Sequence, residues 1–241
     1  MTVSSRVNGT QPSHEELLEA FDRKQQLIRD RVASVAHGYH TGCYIVGRPG
    51  TSKTYTVEEE LERMDVPSVI QNARMTPMGL FCFIAEHPEH VIVLDDIGTL
   101  FKNDQAMQIL MAALGGKPGE PRTVTYKSKD QDLKVQFSGA VIAISNVPLR
   151  RDPLAQALGS RVVMLEHEPS DEEIAAFMLY LAAKGHGDLS SDECLEVVAF
   201  VIAETRSYDL RLDLRHLQKA WQDYRQHKHG MSKTPWPDLI R

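Results

Sequence analysis

Three unbroken apolar runs organise the first two thirds of the chain: Cys43-Tyr44-Ile45-Val46, Val91-Ile92-Val93-Leu94 and Val141-Ile142-Ala143-Ile144. Short, mostly β-branched runs of this kind are the pattern of parallel strands buried on both faces. Val66–Ile70 and Val162–Leu165 predict two more strands. Helical spacing fills the intervals. Ser13 and Glu16 make a capping box ahead of Leu17, Phe21, Ile28, Val32 and Val35, and His37-Gly38 closes that helix. A second helix is expected from Lys53 to about Met64. Thr76 and Pro77 read as N-cap and first-turn proline for Met78–Glu86. Ala106, Met107, Ile109, Leu110 and Leu114 form a further helical pattern stopped by Gly115-Gly116. Between 121 and 138 the period changes to two: Val124 and Tyr126, then Leu133, Val135 and Phe137, alternate with polar residues around Ser128–Asp132, which predicts a β-hairpin.

From Ser170 onward the pattern is wholly helical. Ser170 with Glu173 and Ser190 with Glu193 are two more capping boxes, and three apolar faces follow: Ile174, Phe177, Met178 and Leu181; Leu195, Val198 and Ile202; Leu214, Leu217, Trp221 and Tyr224. The expected organisation is a loose polar tail over 1–12, an α/β domain over 13–168 with the hairpin inserted at 121–138, and a small helical domain over 169–241. No further folded domain is expected.

The most informative chemistry lies directly after the first strand, in Gly47-Arg48-Pro49-Gly50-Thr51-Ser52-Lys53-Thr54. A glycine-rich turn between a buried strand and a helix can point successive N–H groups inward at a phosphate, with lysine reaching the β/γ oxygens and the next hydroxyl ligating Mg²⁺. Gly47 and Gly50 supply backbone freedom. Ser52 stands where a glycine is usual in such loops, and its small size is compatible with an N–H still aimed at phosphate. The competing interpretation is a surface turn that happens to contain Lys-Thr.

Asp95-Asp96 ends the second apolar run and Ser145-Asn146 the third. A carboxylate at such a strand end can hold Mg²⁺, and its neighbour can orient and deprotonate an attacking water. An amide at Asn146 can reach the γ-phosphate or that water. Alone, the acids also read as a helix N-cap, and Asn146 as a turn former before Pro148.

Taken in order, these segments resemble the AAA+ ATPase family from about Arg29 to Tyr224. Gly47–Thr54 is similar to the Walker A motif apart from Ser52, and Val91–Asp96 to Walker B, with Asp96 where many members have Glu. Asn146 falls at the sensor 1 position. Ala157–Val162 is similar to the arginine-finger segment, with Arg161 as the finger, and Leu214–Leu217 to sensor 2, with Arg215 as its arginine. The resemblance implies a P-loop NTPase α/β fold: a parallel five-stranded sheet flanked by helices, with a small all-α C-terminal lid. It implies ATP and Mg²⁺ as ligands, Asp95 and Thr54 as metal ligands, and Asp96, Asn146, Arg161 and Arg215 as catalytic groups. It also implies a ring or helical homo-oligomer, hexamer-type, with the γ-phosphate facing a neighbouring subunit.

Composition narrows the partners. With 33 acidic against 27 basic residues the net charge is −6, so no global electrostatic case exists for nucleic acid. Local options remain: the run Asp95–Gly98 is similar to that of bacterial replication initiators, helicase loaders and transposition helpers. Arg122, Lys127, Lys129 and Lys134 give the hairpin a basic cast, diluted by Asp130 and Asp132. Some AAA+ subgroups point such a hairpin into the pore of the ring, and a plain extension of the sheet edge is the alternative. A protein remodeller has only Arg74-Met75 and Met78-Gly79 as weak pore-loop candidates, and a nucleotide-gated scaffold with little turnover fits Ser52 and Asp96. The three cysteines follow no ligand spacing and read as small apolar residues in a reducing compartment. The His227–His229 stretch reads as solvated. Without a signal peptide, a membrane-length apolar run or a lipidation motif, the expected location is the cytoplasm, with no membrane partner.

Overall fold

The computed structural model describes residues 12–72, 74–96, 100, 103–149 and 153–241. The tail expected over 1–12 lies outside them except for Pro12, as do Ile97 and Gly98. The chain begins with α1 (His14–Ala36), whose first turn carries the expected capping box: Ser13 N–H donates to Glu16 Oε2 at 2.7 Å, and Glu16 N–H to Ser13 Oγ at 3.2 Å. Then follow β1 (Gly42–Val46), α2 (Lys53–Arg63), β2 (Ser68–Asn72), α3 (Pro77–Glu86) and β3 (Val91–Asp95). Thr76 caps α3 by accepting from Gly79 N–H. Next come α4 (Asp104–Leu114), capped by Asn103, and the hairpin β4 (Arg122–Lys127) and β5 (Asp132–Phe137). β6 (Ala140–Ser145), α5 (Pro153–Gly159) and β7 (Val163–Glu166) complete this part, and α6 (Asp171–Ala183), α7 (Ser191–Ser207), α8 (Leu214–Lys228) and α9 (Trp236–Ile240) follow.

β2 begins two residues later than its apolar pattern suggested. Pro67 has no N–H to give a ladder, yet its carbonyl accepts from Val91 N–H at 2.9 Å, so paired strand starts at Ser68. The five main strands form one parallel sheet in the order β2-β3-β6-β1-β7. Alternation along each strand feeds two apolar layers. Cys43, Ile45, Val91, Val93, Ile142 and Ile144 pack with Ile28, Val32 and Val35 of α1 and Val57 and Leu61 of α2. Tyr44, Ile92, Leu94, Val141 and Ala143 pack with α3, α4, α5 and the hairpin.

The hairpin is a separate two-stranded antiparallel sheet rather than an extension of the main one. Val124, Tyr126, Leu133, Val135 and Phe137 turn inward onto α3 and α4, and the Phe81 and Tyr126 rings lie 6.0 Å apart. Arg122 belongs to this inward set and drops out of the expected basic surface. It is buried, donates through its guanidinium to the carbonyls of Phe137 and Gly139, and sits over the Phe137 ring.

The described residues divide into two compact units, one within 24–168 and a helical one made of 12–23 with Pro169–Arg241. Inside the helical unit, Phe21 stacks on Phe177 at 4.4 Å within a core that includes Ile174, Met178, Val198 and Trp221. Both predicted capping boxes are formed, at Ser170 and Ser190. The short α9, which packs Trp236 near Phe200 and Tyr224, adds a fourth helix where three were expected.

Candidate nucleotide site

The octapeptide links the end of β1 to the start of α2, as its sequence required. Gly47 is fixed by crowding: a Cβ there would lie 2.0 Å from the His167 carbonyl oxygen, so the backbone just after β7 passes where only glycine fits. Gly50 and Ser52 both have left-handed backbone, φ 71° and 70°. Ser52 is the N-cap residue of α2 but makes no side-chain cap. The first N–H groups of α2 are therefore not satisfied by that hydroxyl, which is the property that lets a helix N-terminus receive an anion.

Lys53 is 5% exposed and folds back into the loop, where Nζ donates to the carbonyls of Gly47 at 2.7 Å and Arg48 at 2.6 Å, and to Asn146 Oδ1 at 3.3 Å. Thr54 Oγ1 donates to Asp95 Oδ2 at 3.0 Å. The parallel order makes this convergence possible, because β6 lies between β3 and β1 and all three strands end on the same edge. Asp96 is exposed, with left-handed backbone (φ 52°), and its N–H donates to Asp95 Oδ1. Pro49 completes the turn.

Two other expected residues take no part in these hydrogen bonds. Arg161 is exposed just before β7 and donates to the Ala157 carbonyl at 2.6 Å; among the described residues it makes no ion pair. Arg215 is exposed in the first turn of α8, in the helical unit.

The structure adds residues that sequence reasoning missed. Gln25 of α1, 4% exposed, donates to Ser52 Oγ at 2.6 Å and accepts from the Thr56 hydroxyl. His167, 2% exposed, lies 3.0 Å from the Thr51 carbonyl oxygen through Nε2. Burial pushes its pKa down to about 4, against the partial support of the Thr51 bond, so the ring is neutral at physiological pH. Its neighbour Glu168 accepts the Arg48 N–H at 2.7 Å. One signal was available: Gln25 falls on the apolar stripe of Phe21, Ile28 and Val32, where a polar side chain needs a buried partner.

No cluster of three or more His, Cys, Asp or Glu among the described residues is arranged to hold a metal. No described helix is long and apolar enough to cross a membrane. The cysteines are free, with Cys43 and Cys194 buried.

No family model and no curated protein matches the sequence. Solved structures do, in 401 chains. Among them is Cdc6p from Pyrobaculum aerophilum, at 16% identity and a TM-score of 0.53, over 92% of this chain but 65% of that one. This chain thus spans a little under two thirds of the length of that protein. At such identity the likeness is one of fold. The sheet order β2-β3-β6-β1-β7, its flanking helices and the all-α C-terminal region together make a P-loop NTPase fold with a helical lid.

Proposed function

We propose that the chain is an AAA+-type ATPase that binds Mg-ATP at Gly47–Thr54 and hydrolyses it as part of a homo-oligomer. The observation that carries this reading is the convergence of Lys53, Thr54, Asp95 and Asn146 at the ends of β1, β3 and β6. The reading assigns three roles. Lys53 exchanges loop carbonyls for β/γ-phosphate oxygens, a gain because a charge-assisted bond to an anion is stronger than one to a neutral carbonyl. The loop amides and the α2 N-terminus receive the phosphate chain. On this reading Asp96, exposed beside Asp95, takes a proton from an attacking water, and Asn146 orients it.

The Thr54–Asp95 pair fits Mg²⁺: two hard oxygen donors suit an ion that draws its other ligands from water and phosphate. When bound, Mg²⁺ neutralises charge on the phosphate oxygens. The exposed Arg161 supports a finger offered to a second copy. Lys134 on the outer hairpin face and Lys129 in its turn, with Lys127 drawn to Asp132 at 3.3 Å, support at most a modest strip for the phosphates of a nucleic acid. A second reading, an ATP-gated assembly switch with little turnover, draws support from Ser52 at the usual glycine position, where φ 70° costs a residue with a Cβ, and from Asp96 as the shorter acid.

The test is Mg-ATP titration by calorimetry together with steady-state phosphate release. Lys53→Ala is expected to weaken binding roughly ten- to a hundred-fold, from the loss of contacts worth about 1.5–3 kcal/mol. Unchanged affinity removes the nucleotide reading, and tight binding without phosphate release selects the switch.

A further inference from the structure

Ser52 adopts φ 70°, which glycine takes freely and a residue with a Cβ takes only at a cost. The Thr51 carbonyl just before it has three donors around it. It meets His167 Nε2 at 3.0 Å, Gln25 Nε2 at 3.4 Å and the hydroxyl of Ser52 itself. Gln25 Nε2 also donates to Ser52 Oγ at 2.6 Å, while the Thr56 hydroxyl holds the other end of the Gln25 amide. A trans peptide unit is planar, with C=O and N–H pointing in opposite directions. Fixing the Thr51 carbonyl toward Gln25 and His167 therefore turns the Ser52 N–H away from the cluster.

We propose that Gln25 and His167 are positioning residues that clamp the Thr51 carbonyl, aim the Ser52 amide at the nucleotide's β-phosphate, and so replace the glycine such loops use. The clamp's purpose rests on the nucleotide reading above; the clamp itself does not. Its members suit the task because they are neutral. His167 is uncharged at pH 7 and gives its one ring proton to the Thr51 carbonyl, so the cluster supplies donors and brings neither a like charge to Lys53 nor a carboxylate to repel phosphate. The Ser52 hydroxyl is what makes serine usable here, since it gives Gln25 a handle that glycine lacks.

Three substitutions separate the possibilities. Gln25→Met keeps the side-chain length and removes its hydrogen bonds. Ser52→Ala removes the handle but keeps the Cβ that makes φ 70° costly, and serves if Gln25→Met fails to fold. Ser52→Gly removes both handle and cost. Amide hydrogen exchange over residues 49–54 is measured without nucleotide, and Mg-ADP affinity by calorimetry.

Gln25→Met and Ser52→Ala are each expected to speed exchange at residues 52 and 53 about tenfold and to weaken Mg-ADP about tenfold, with exchange in α6, α7 and α8 unchanged. In the Ser52→Gly background, Gln25→Met should change either quantity by less than about twofold. A purely structural Gln25 would accelerate exchange throughout the sheet and cost the same affinity in both backgrounds, and either result overturns the clamp. So does unchanged loop exchange in both single variants. Failure of the wild type to bind Mg-ADP or Mg-ATP overturns the nucleotide reading, and the exchange comparison distinguishes that failure from failure of the clamp.

Discussion

In the α/β unit, Gln25, Lys53, Thr56 and His167 are each no more than 5% exposed. In the helical unit the conspicuous polar contacts are ion pairs whose side chains are 23 to 50% exposed: Arg225 with Asp188, Lys228 with Glu193, and Arg241 with Glu204. The two arrangements answer to different physics. Surface pairs cost little to form and contribute little. A buried polar cluster loses its water and repays that loss only if its bonds are made, so it is a poor device for stability and a good one for holding a single geometry. The helical unit relies on capping boxes and an aromatic core. The α/β unit concentrates buried polar groups beneath one loop.

The largest effect that could sharpen this comparison concerns the exposed charge in the α/β unit. Arg161→Ala should leave nucleotide affinity unchanged yet lower turnover by about 10³–10⁵-fold, the range of an arginine offered from a neighbouring subunit. Mixing it with Asp96→Asn should restore part of the phosphate release. If Arg161 acts only as a cap on the Ala157 carbonyl, turnover will not move, and Arg161 then behaves like the surface charges of the helical unit.

Next in size is the core of the helical unit. Phe21→Ala removes the ring stacked on Phe177 and should cost about 3–5 kcal/mol in urea unfolding. A loss confined to α6, α7 and α8 by hydrogen exchange would show that the two units melt separately.

His167 carries a pH signature of the buried cluster. Its folded pKa is depressed to about 4 from an unfolded 6.5, so the unfolded chain binds the extra proton first. Stability should be full above about pH 6.5, fall as pH drops toward 4 and then level off, a loss on the order of 3 kcal/mol. The difference between wild type and His167→Gln, followed by urea midpoint across that window, isolates it.

The smallest effect is expected for Arg225→Ala. Asp188 is exposed, and its hydrogen bonds from His229 and Arg225 hold its carboxyl well below the usual range. Whatever it contributes is present above the ordinary carboxylate pKa and vanishes as pH falls below it. A thermal melt at pH 7 should shift only marginally; a large shift would show that the surface network matters more than its exposure suggests.

Much of the fold was legible because its signals are local. Apolar runs marked β1, β3 and β6, and period-two alternation marked the hairpin. That same alternation puts Arg122 in step with the inward Val124 and Tyr126, which is why it is buried rather than part of a basic surface. β2 was misplaced because Val66 is apolar although Pro67 delays the ladder. The five-residue α9 is too short to show a period. The convergence of Lys53 with Asn146 and of Thr54 with Asp95 was readable from motif order. The cluster of Gln25, Thr51, Ser52, Thr56 and His167 was not, since it joins distant segments by tertiary contact alone and follows no spacing.

The strand order also governs how the chain comes into being. Gly42 pairs with Val141 and Cys43 with Val163, so β1 meets neither neighbour until the segments that carry Val141 and Val163 have left the ribosome. Until then Cys43-Tyr44-Ile45-Val46 is an apolar strand with two open edges, and the glycine-rich loop it carries has no β7 to close against. Long-range parallel pairing of this kind is slow and exposes the nascent chain to aggregation. Recovery of soluble protein should therefore respond to synthesis rate and temperature, because the strand that carries the loop is made early and sheltered late.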